Sequence, residues 1–122
     1  MARHAGAVTI YGIANCDTMK KARSWLELHA IEASFHDYRK TGIDHATLAR
    51  WCRELGWEKV LNRSGTTFRR LSDTERAGLD APRAIGLMLA QPALIKRPVL
   101  DIDGRLLVGF KSEAYAAAFA AS

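Results

Sequence analysis

The stretch Val8-Thr9-Ile10-Tyr11-Gly12-Ile13-Ala14-Asn15-Cys16-Asp17-Thr18 decides the fold. Val8 to Ile13 is rich in apolar and β-branched residues, which reads as a buried strand running into a Gly-containing turn. From Asp17 to His29 the period changes. Met19, Ala22, Leu26 and His29 recur at helical spacing, with Lys20, Lys21, Arg23 and Glu27 elsewhere. Cys16 is therefore expected at a strand-to-helix junction, within the first helical turn. Unpaired N–H groups at a helix start carry partial positive charge and favour a thiolate over a thiol. Lys20, one turn on from Cys16, adds a cation to that face. The thiolate is the reactive form, and a free thiol (pKa roughly 8.5) is little ionised at neutral pH. A buried helix-start cysteine without chemistry is the competing reading of the same residues.

Working outward, Ala33 to Tyr38 reads as a second short strand, with Ser34, His36 and Tyr38 alternating against Phe35 and Asp37. A β-α-β unit of this length calls for parallel strands and a right-handed crossover. Asp44 is an expected N-cap, with Ile43 and Leu48 at the two positions of a hydrophobic staple. Leu48, Trp51, Cys52 and Leu55 then form a helical stripe that ends at Gly56. Asn62 to Phe68 reads as a loop. Ser72-Asp73-Thr74-Glu75 matches a capping box. Asp80 caps a further helix with Ile85, Met88 and Leu89 on one face, stopped by Pro92. In the last third, Val99–Ile102 and Arg105–Phe110 flank Asp103-Gly104, a type I′ hairpin signal. Ser112 is expected to cap a final alanine-rich helix. These elements predict an α/β fold with the thioredoxin layout: a four-stranded mixed sheet, with a helical insertion from about residue 43 to 95 between its β-α-β and β-β-α halves.

The 122 residues suit a single domain spanning 1–122. Apolar residues make up 48% and charged residues 25%, which are ordinary globular values. The net charge of +5 is spread over separated pairs such as Lys20-Lys21, Arg69-Arg70 and Lys96-Arg97. Such pairs suit small anionic ligands and signal nucleic-acid binding only weakly. The N-terminus lacks an apolar signal core, and no apolar run is long enough to span a bilayer, so no membrane association is expected. Two cysteines make no disulfide framework, and a cytoplasmic, reducing setting follows. The histidines (His4, His29, His36, His45) show no metal-ligand spacing with either cysteine, so no metal is expected.

At Asn15-Cys16-Asp17-Thr18-Met19-Lys20-Lys21-Ala22 and Ile95-Lys96-Arg97-Pro98-Val99-Leu100 the chain resembles the ArsC/Spx (arsenate reductase-like) family, and within it the YffB-like branch. Leu61-Asn62-Arg63-Ser64-Gly65-Thr66-Thr67-Phe68-Arg69 is similar to that branch too. The resemblance covers about Val8 to Phe119. It implies a thioredoxin-like fold, a nucleophilic cysteine at Cys16 and a cis-proline at Pro98 packed beside it. The backbone of Arg97 would then pair with a bound thiol peptide. Three departures narrow the substrate. Arsenate reductases of this family hold the oxyanion with three arginines. Only Arg97 aligns cleanly, the other positions falling at Asn62 and near Gly109-Phe110, and Phe110 donates no charge-assisted hydrogen bond. Spx-type regulators, which bind RNA polymerase, use a Cys-x-x-Cys switch, whereas Met19 stands three positions after Cys16. The phosphatase-like arsenate reductases need Cys-x5-Arg, and the first arginine here, Arg23, comes one residue late.

Among the remaining candidates, Cys52 on its apolar stripe reads as a packed core thiol. Asn15 and Thr18 read as caps of the first helix, in which role they also support the thiolate. Arg63, Arg69 and Lys96 stand as ligand-binding candidates and, equally, as solvated surface charges. A lone active cysteine cannot resolve its own mixed disulfide, so a second thiol comes from outside. Glutathione supplies one, together with two carboxylates for nearby arginines. The expectation is thus a monomeric, glutathione-dependent thiol–disulfide reductase. Its partners would be glutathione and disulfide or glutathionylated substrates, bound by Arg97, Pro98, Lys96, Arg63 and Arg69. The alternatives are a glutathione-dependent arsenate reductase and a non-catalytic, Spx-like protein that binds the transcription machinery.

Overall fold

Parallel pairing of β1 (Val8–Gly12) with β2 (Ser34–Asp37) organises the start of the chain, with α1 (Asp17–Leu28) as the crossover. The computed structural model describes residues 7–120. The N-terminal residues read for a signal core, and His4 among them, lie outside the described residues. The register sets Gly12 opposite Asp37, so both strands deliver their C-terminal ends to the same end of the sheet. There the chain turns twice, once toward Cys16 and once at Tyr38. Asp37 drives the second turn. Its carboxylate accepts the Arg39 N–H at 3.0 Å, a local bond that bends the backbone out of the strand. Tyr38, expected in β2, therefore opens a short helical turn, α2 (Tyr38–Thr41), with its side chain fully buried.

The helical stretch that follows consists of α3 (His45–Leu55), α4 (Trp57–Val60), α5 (Thr66–Arg69), α6 (Asp73–Arg76), α7 (Ala81–Ala90) and a 3-10 turn at Pro92–Leu94. Thr41–Lys96 makes one compact unit; the segments before and after it make the other. In the helical unit the sequence caps behave as expected. Asp44 accepts the Thr47 N–H at 2.7 Å, Asp80 accepts the Arg83 N–H at 2.9 Å, and Ser72 and Glu75 form both bonds of a capping box. Leu48, Trp51 and Cys52 are buried along α3, which packs on α4 and α7. The 62–68 loop is more ordered than expected. Asn62 accepts both the N–H and the hydroxyl of Ser64, and α5 follows as a single helical turn, too short to leave a readable period.

Two more strands complete the sheet: β3 (Val99–Ile102), antiparallel to β1, and β4 (Arg105–Val108), antiparallel to β3, giving the order β2-β1-β3-β4. Asp103 and Gly104 have φ of 49° and 100°, both positive as a type I′ turn requires. β4 stops at Val108, short of the expected Phe110. Gly109 turns the chain with φ 78°, and its N–H bonds the Pro98 carbonyl at 2.8 Å. The last helix, α8 (Ser112–Ala120), starts at the expected cap residue itself, one position earlier than expected. Ser112 is already helical, and its hydroxyl bonds the Glu113 carboxylate at 3.0 Å.

One face of the sheet carries the core of this unit. Val8, Ile10, Leu100 and Ile102 meet Met19, Ala22 and Leu26 of α1 and Tyr115, Ala118 and Phe119 of α8. Alternate residues of a strand point to one face, which is why Val8, Ile10 and Gly12 are its buried positions. Gly12 allows α1 to approach at its first turn, since a Cβ at that position would collide with the Met19 sulfur. Met19 itself is 2% exposed and has little space to retreat. Gly12→Ala is expected to lower the unfolding free energy by about 1–3 kcal/mol in urea titrations. Gly12→Ala with Met19→Ala should cost less than the sum of the two single changes.

Candidate thiol site

Cys16 occupies the N-cap position of α1, with extended backbone (φ −121°, ψ 130°). It lies just before the helix and not within its first turn. Its carbonyl accepts the Lys20 N–H at 2.9 Å, the first bond of the helix. Asn15, expected as a cap, instead takes the left-handed conformation (φ 63°) that throws the chain from the sheet into the helix. Asn tolerates that region better than most residues. The approach is tied down from β2, because the buried Asp37 carboxylate accepts the Ala14 N–H at 3.4 Å.

Thr18, the other expected cap, contributes backbone in place of side chain. The Cys16 thiol makes no tight capping bond, yet the Met19 and Thr18 N–H groups face it closely enough to favour the anion. Partial burial alone would push the thiol pKa up. The Met19 N–H, the Arg97 guanidinium and the Thr18 N–H outweigh it and hold the pKa below the ordinary cysteine value. The cation acting on the sulfur is therefore Arg97, from far along the chain. Lys20 is exposed one turn down the helix and is not among the groups that shift the sulfur.

Arg97 enters through the Arg97–Pro98 peptide bond, which is cis. Its half-buried guanidinium bridges Cys16 to Tyr38. Desolvation would lower the Arg97 pKa; its bonds and charge interactions with Cys16 and Tyr38 more than compensate, so it stays firmly cationic. Burial pushes the Tyr38 hydroxyl up to about 12 despite the neighbouring Arg97 charge, leaving it a neutral partner at physiological pH. Cys16, Arg97 and Tyr38 thus form one connected group at the end of the sheet. Tyr38 and Asp37 were not singled out from sequence. The only signal was an acid and an aromatic together at the C-terminal end of a parallel strand.

The remaining candidates belong to the helical unit and are engaged there. The Arg63 guanidinium lies 5.5 Å from the centre of the Trp57 ring, and Arg69 donates to the Ser64 carbonyl at 2.8 Å. Lys96 bonds through its N–H to the Val60 carbonyl at 2.7 Å, its side chain exposed. Cys52 is buried, and desolvation raises its pKa. Both cysteines are free thiols. Among the described residues, no group of three or more His, Cys, Asp or Glu could hold a metal ion, and no helix is long and apolar enough to cross a membrane.

A model of the ArsC family matches residues 11–118. The chain belongs to the ArsC family. A solved YffB protein is 59% identical, covers 93% of this chain and 99% of its own, and superposes with a TM-score of 0.91. An arsenate reductase-related protein from Brucella melitensis is 58% identical over 93% of this chain and 94% of its own, with a TM-score of 0.75. An uncharacterized protein of Haemophilus influenzae is 43% identical over 93% of this chain and 99% of its own length. This ArsC-family chain has the thioredoxin-like α/β fold, with its thiol at the junction that the sequence marked.

The site makes a pH-dependent difference between the two cysteines. Alkylation of Cys16 by iodoacetamide should rise with pH with a midpoint below that of a free thiol, roughly 8.5. Arg97→Met removes the guanidinium and should move that midpoint up. Cys52 should stay unmodified in both proteins until denaturant opens the fold.

Proposed function

We propose that this ArsC-family protein is a glutathione-dependent thiol–disulfide reductase with Cys16 as its nucleophile, working in the reducing cytoplasm. The observation that carries this reading is a thiolate-favouring cysteine with a buried methionine, not a second thiol, three positions on. The Cys16 thiolate attacks the glutathione sulfur of a glutathionylated substrate. The substrate sulfur leaves as a thiolate and takes up a proton, and a Cys16–glutathione disulfide remains. A second glutathione thiolate attacks the glutathione sulfur of that adduct, forming oxidised glutathione and restoring the Cys16 thiolate. Each step exchanges one disulfide for another. Over the cycle the substrate thiol is released and one reduced glutathione is consumed, leaving joined to the substrate-borne glutathione as oxidised glutathione.

Arg97 stabilises the attacking and departing thiolate. Its guanidinium is also suited to a glutathione carboxylate. Arsenate fits the residues less well, because Phe110 offers no hydrogen bond to an oxyanion. A purely binding role has no use for a lowered thiol pKa, and the Cys-x-x-Cys switch of Spx-type regulators is absent from this sequence.

Mass spectrometry after treatment with oxidised glutathione is the direct test. One glutathione should add to the wild type and to Cys52→Ser, and none to Cys16→Ser. An intramolecular Cys16–Cys52 disulfide, or an adduct lost only in Cys52→Ser, would defeat the reading. In a glutathione-coupled assay, arsenate should give no turnover above the Cys16→Ser background.

A further inference from the structure

A shallow, open groove of about 350 Å³ runs down α1, lined by Lys20, Lys21, Ser24, Trp25, Leu28 and Phe110. Its floor is apolar. Trp25 and Phe110 pack onto the same core cluster as Cys16, while Leu28 is 83% exposed, an unusual state for a leucine on a helix whose other face is well buried. Its rim is basic: two of the six lining residues are lysines and none is acidic. Lys20, Ser24 and Leu28 follow Cys16 at successive steps of four, which is one ridge of an α-helix. The groove therefore begins one turn below the sulfur and continues away from it along the same row.

We propose that this groove seats the polypeptide of a protein substrate while its disulfide is exchanged at Cys16, a proposal that rests on the thiol–disulfide reading above. The occupant is a segment with an apolar side chain flanked by carboxylates: the apolar group covers Trp25, Leu28 and Phe110, and the carboxylates meet Lys20 and Lys21. Its spacing follows from the helix. Trp25 and Leu28 lie nine and twelve residues after Cys16, or about 13 and 18 Å along the axis. An extended chain covers that span in about four to six residues. The fitting substrate thus carries its apolar residue about four to six positions from the reacting cysteine. Small disulfides such as the glutathione–cysteine mixed disulfide do not reach the groove and gain nothing from it.

The test uses two peptides, each with one glutathionylated cysteine. One has Glu-Leu-Glu centred five positions from the cysteine, and the other has Gln-Ser-Gln there. The first should show roughly tenfold higher kcat/KM. In Leu28→Glu, the ratio of its turnover to that of the glutathione–cysteine disulfide should fall by a similar factor. A cysteine-free version of the first peptide, added to Cys16→Ser protein, should shift amide signals from Lys20 to Leu28 and at Phe110. Equal turnover of the two peptides overturns the docking surface and leaves the thiol chemistry standing. Binding of the cysteine-free peptide with no turnover of any disulfide does the reverse. Self-association of the wild type that Leu28→Glu abolishes would assign the groove to a second copy of the chain and overturn the proposal.

Discussion

A guanidinium half removed from water is stabilised by a neighbouring anion, and the Cys16 sulfur supplies one to Arg97 when it is ionised. Tyr38 is neutral and can orient the cation but not neutralise it. The charge state of the thiol is therefore coupled to the placement of a residue eighty-one positions away. Much of the nearby backbone serves that placement. Asp37 ties down the Ala14 N–H on one side of the site and bends the chain into Tyr38 on the other. Gly12 lets α1 start close to the sheet, and Asn15 makes the reversal that leaves Cys16 at the cap.

The helix start and the guanidinium contribute in different ways. Backbone N–H groups at an N-terminus are fixed by the helix itself, and their effect dies away within the first turn. A guanidinium on a long side chain needs partners to hold it in place, and Tyr38 is one. Lys20 is nearer in sequence, but a flexible ammonium in open solvent is screened and acts weakly on a neighbour. Proximity along a helix was a poorer guide to electrostatics than shared burial.

The same distinction separates what could be read in the sequence from what could not. The β1-α1-β2 start, the Asp103-Gly104 turn and the caps at Asp44, Ser72 and Asp80 rest on interactions within a few residues. Each leaves its mark in local composition. Cys16 was found at the strand-to-helix junction for that reason, although one residue earlier relative to the helix than expected. The resemblance to the ArsC family brought Arg97 and Pro98 into consideration, but the union of Arg97 with Tyr38 is a meeting of distant segments and has no local signature. Single helical turns such as α2 and α5 escaped for a related reason: four residues are too few to show a period, and side-chain bonds from Asp37 and Asn62 help set the backbone before them.

The N-cap position of Cys16 has a consequence for whatever becomes attached to its sulfur. Bonding the sulfur in a disulfide removes its charge while the Met19 and Thr18 N–H groups and Arg97 keep theirs, so the site solvates the free thiolate better than any adduct. A thiolate stabilised in this way is a good leaving group, since a lower pKa speeds departure when an incoming thiol attacks the neighbouring sulfur. The arrangement that makes Cys16 ready to react also makes it ready to be released. In the proposed reaction, that suits a bond that forms and then breaks.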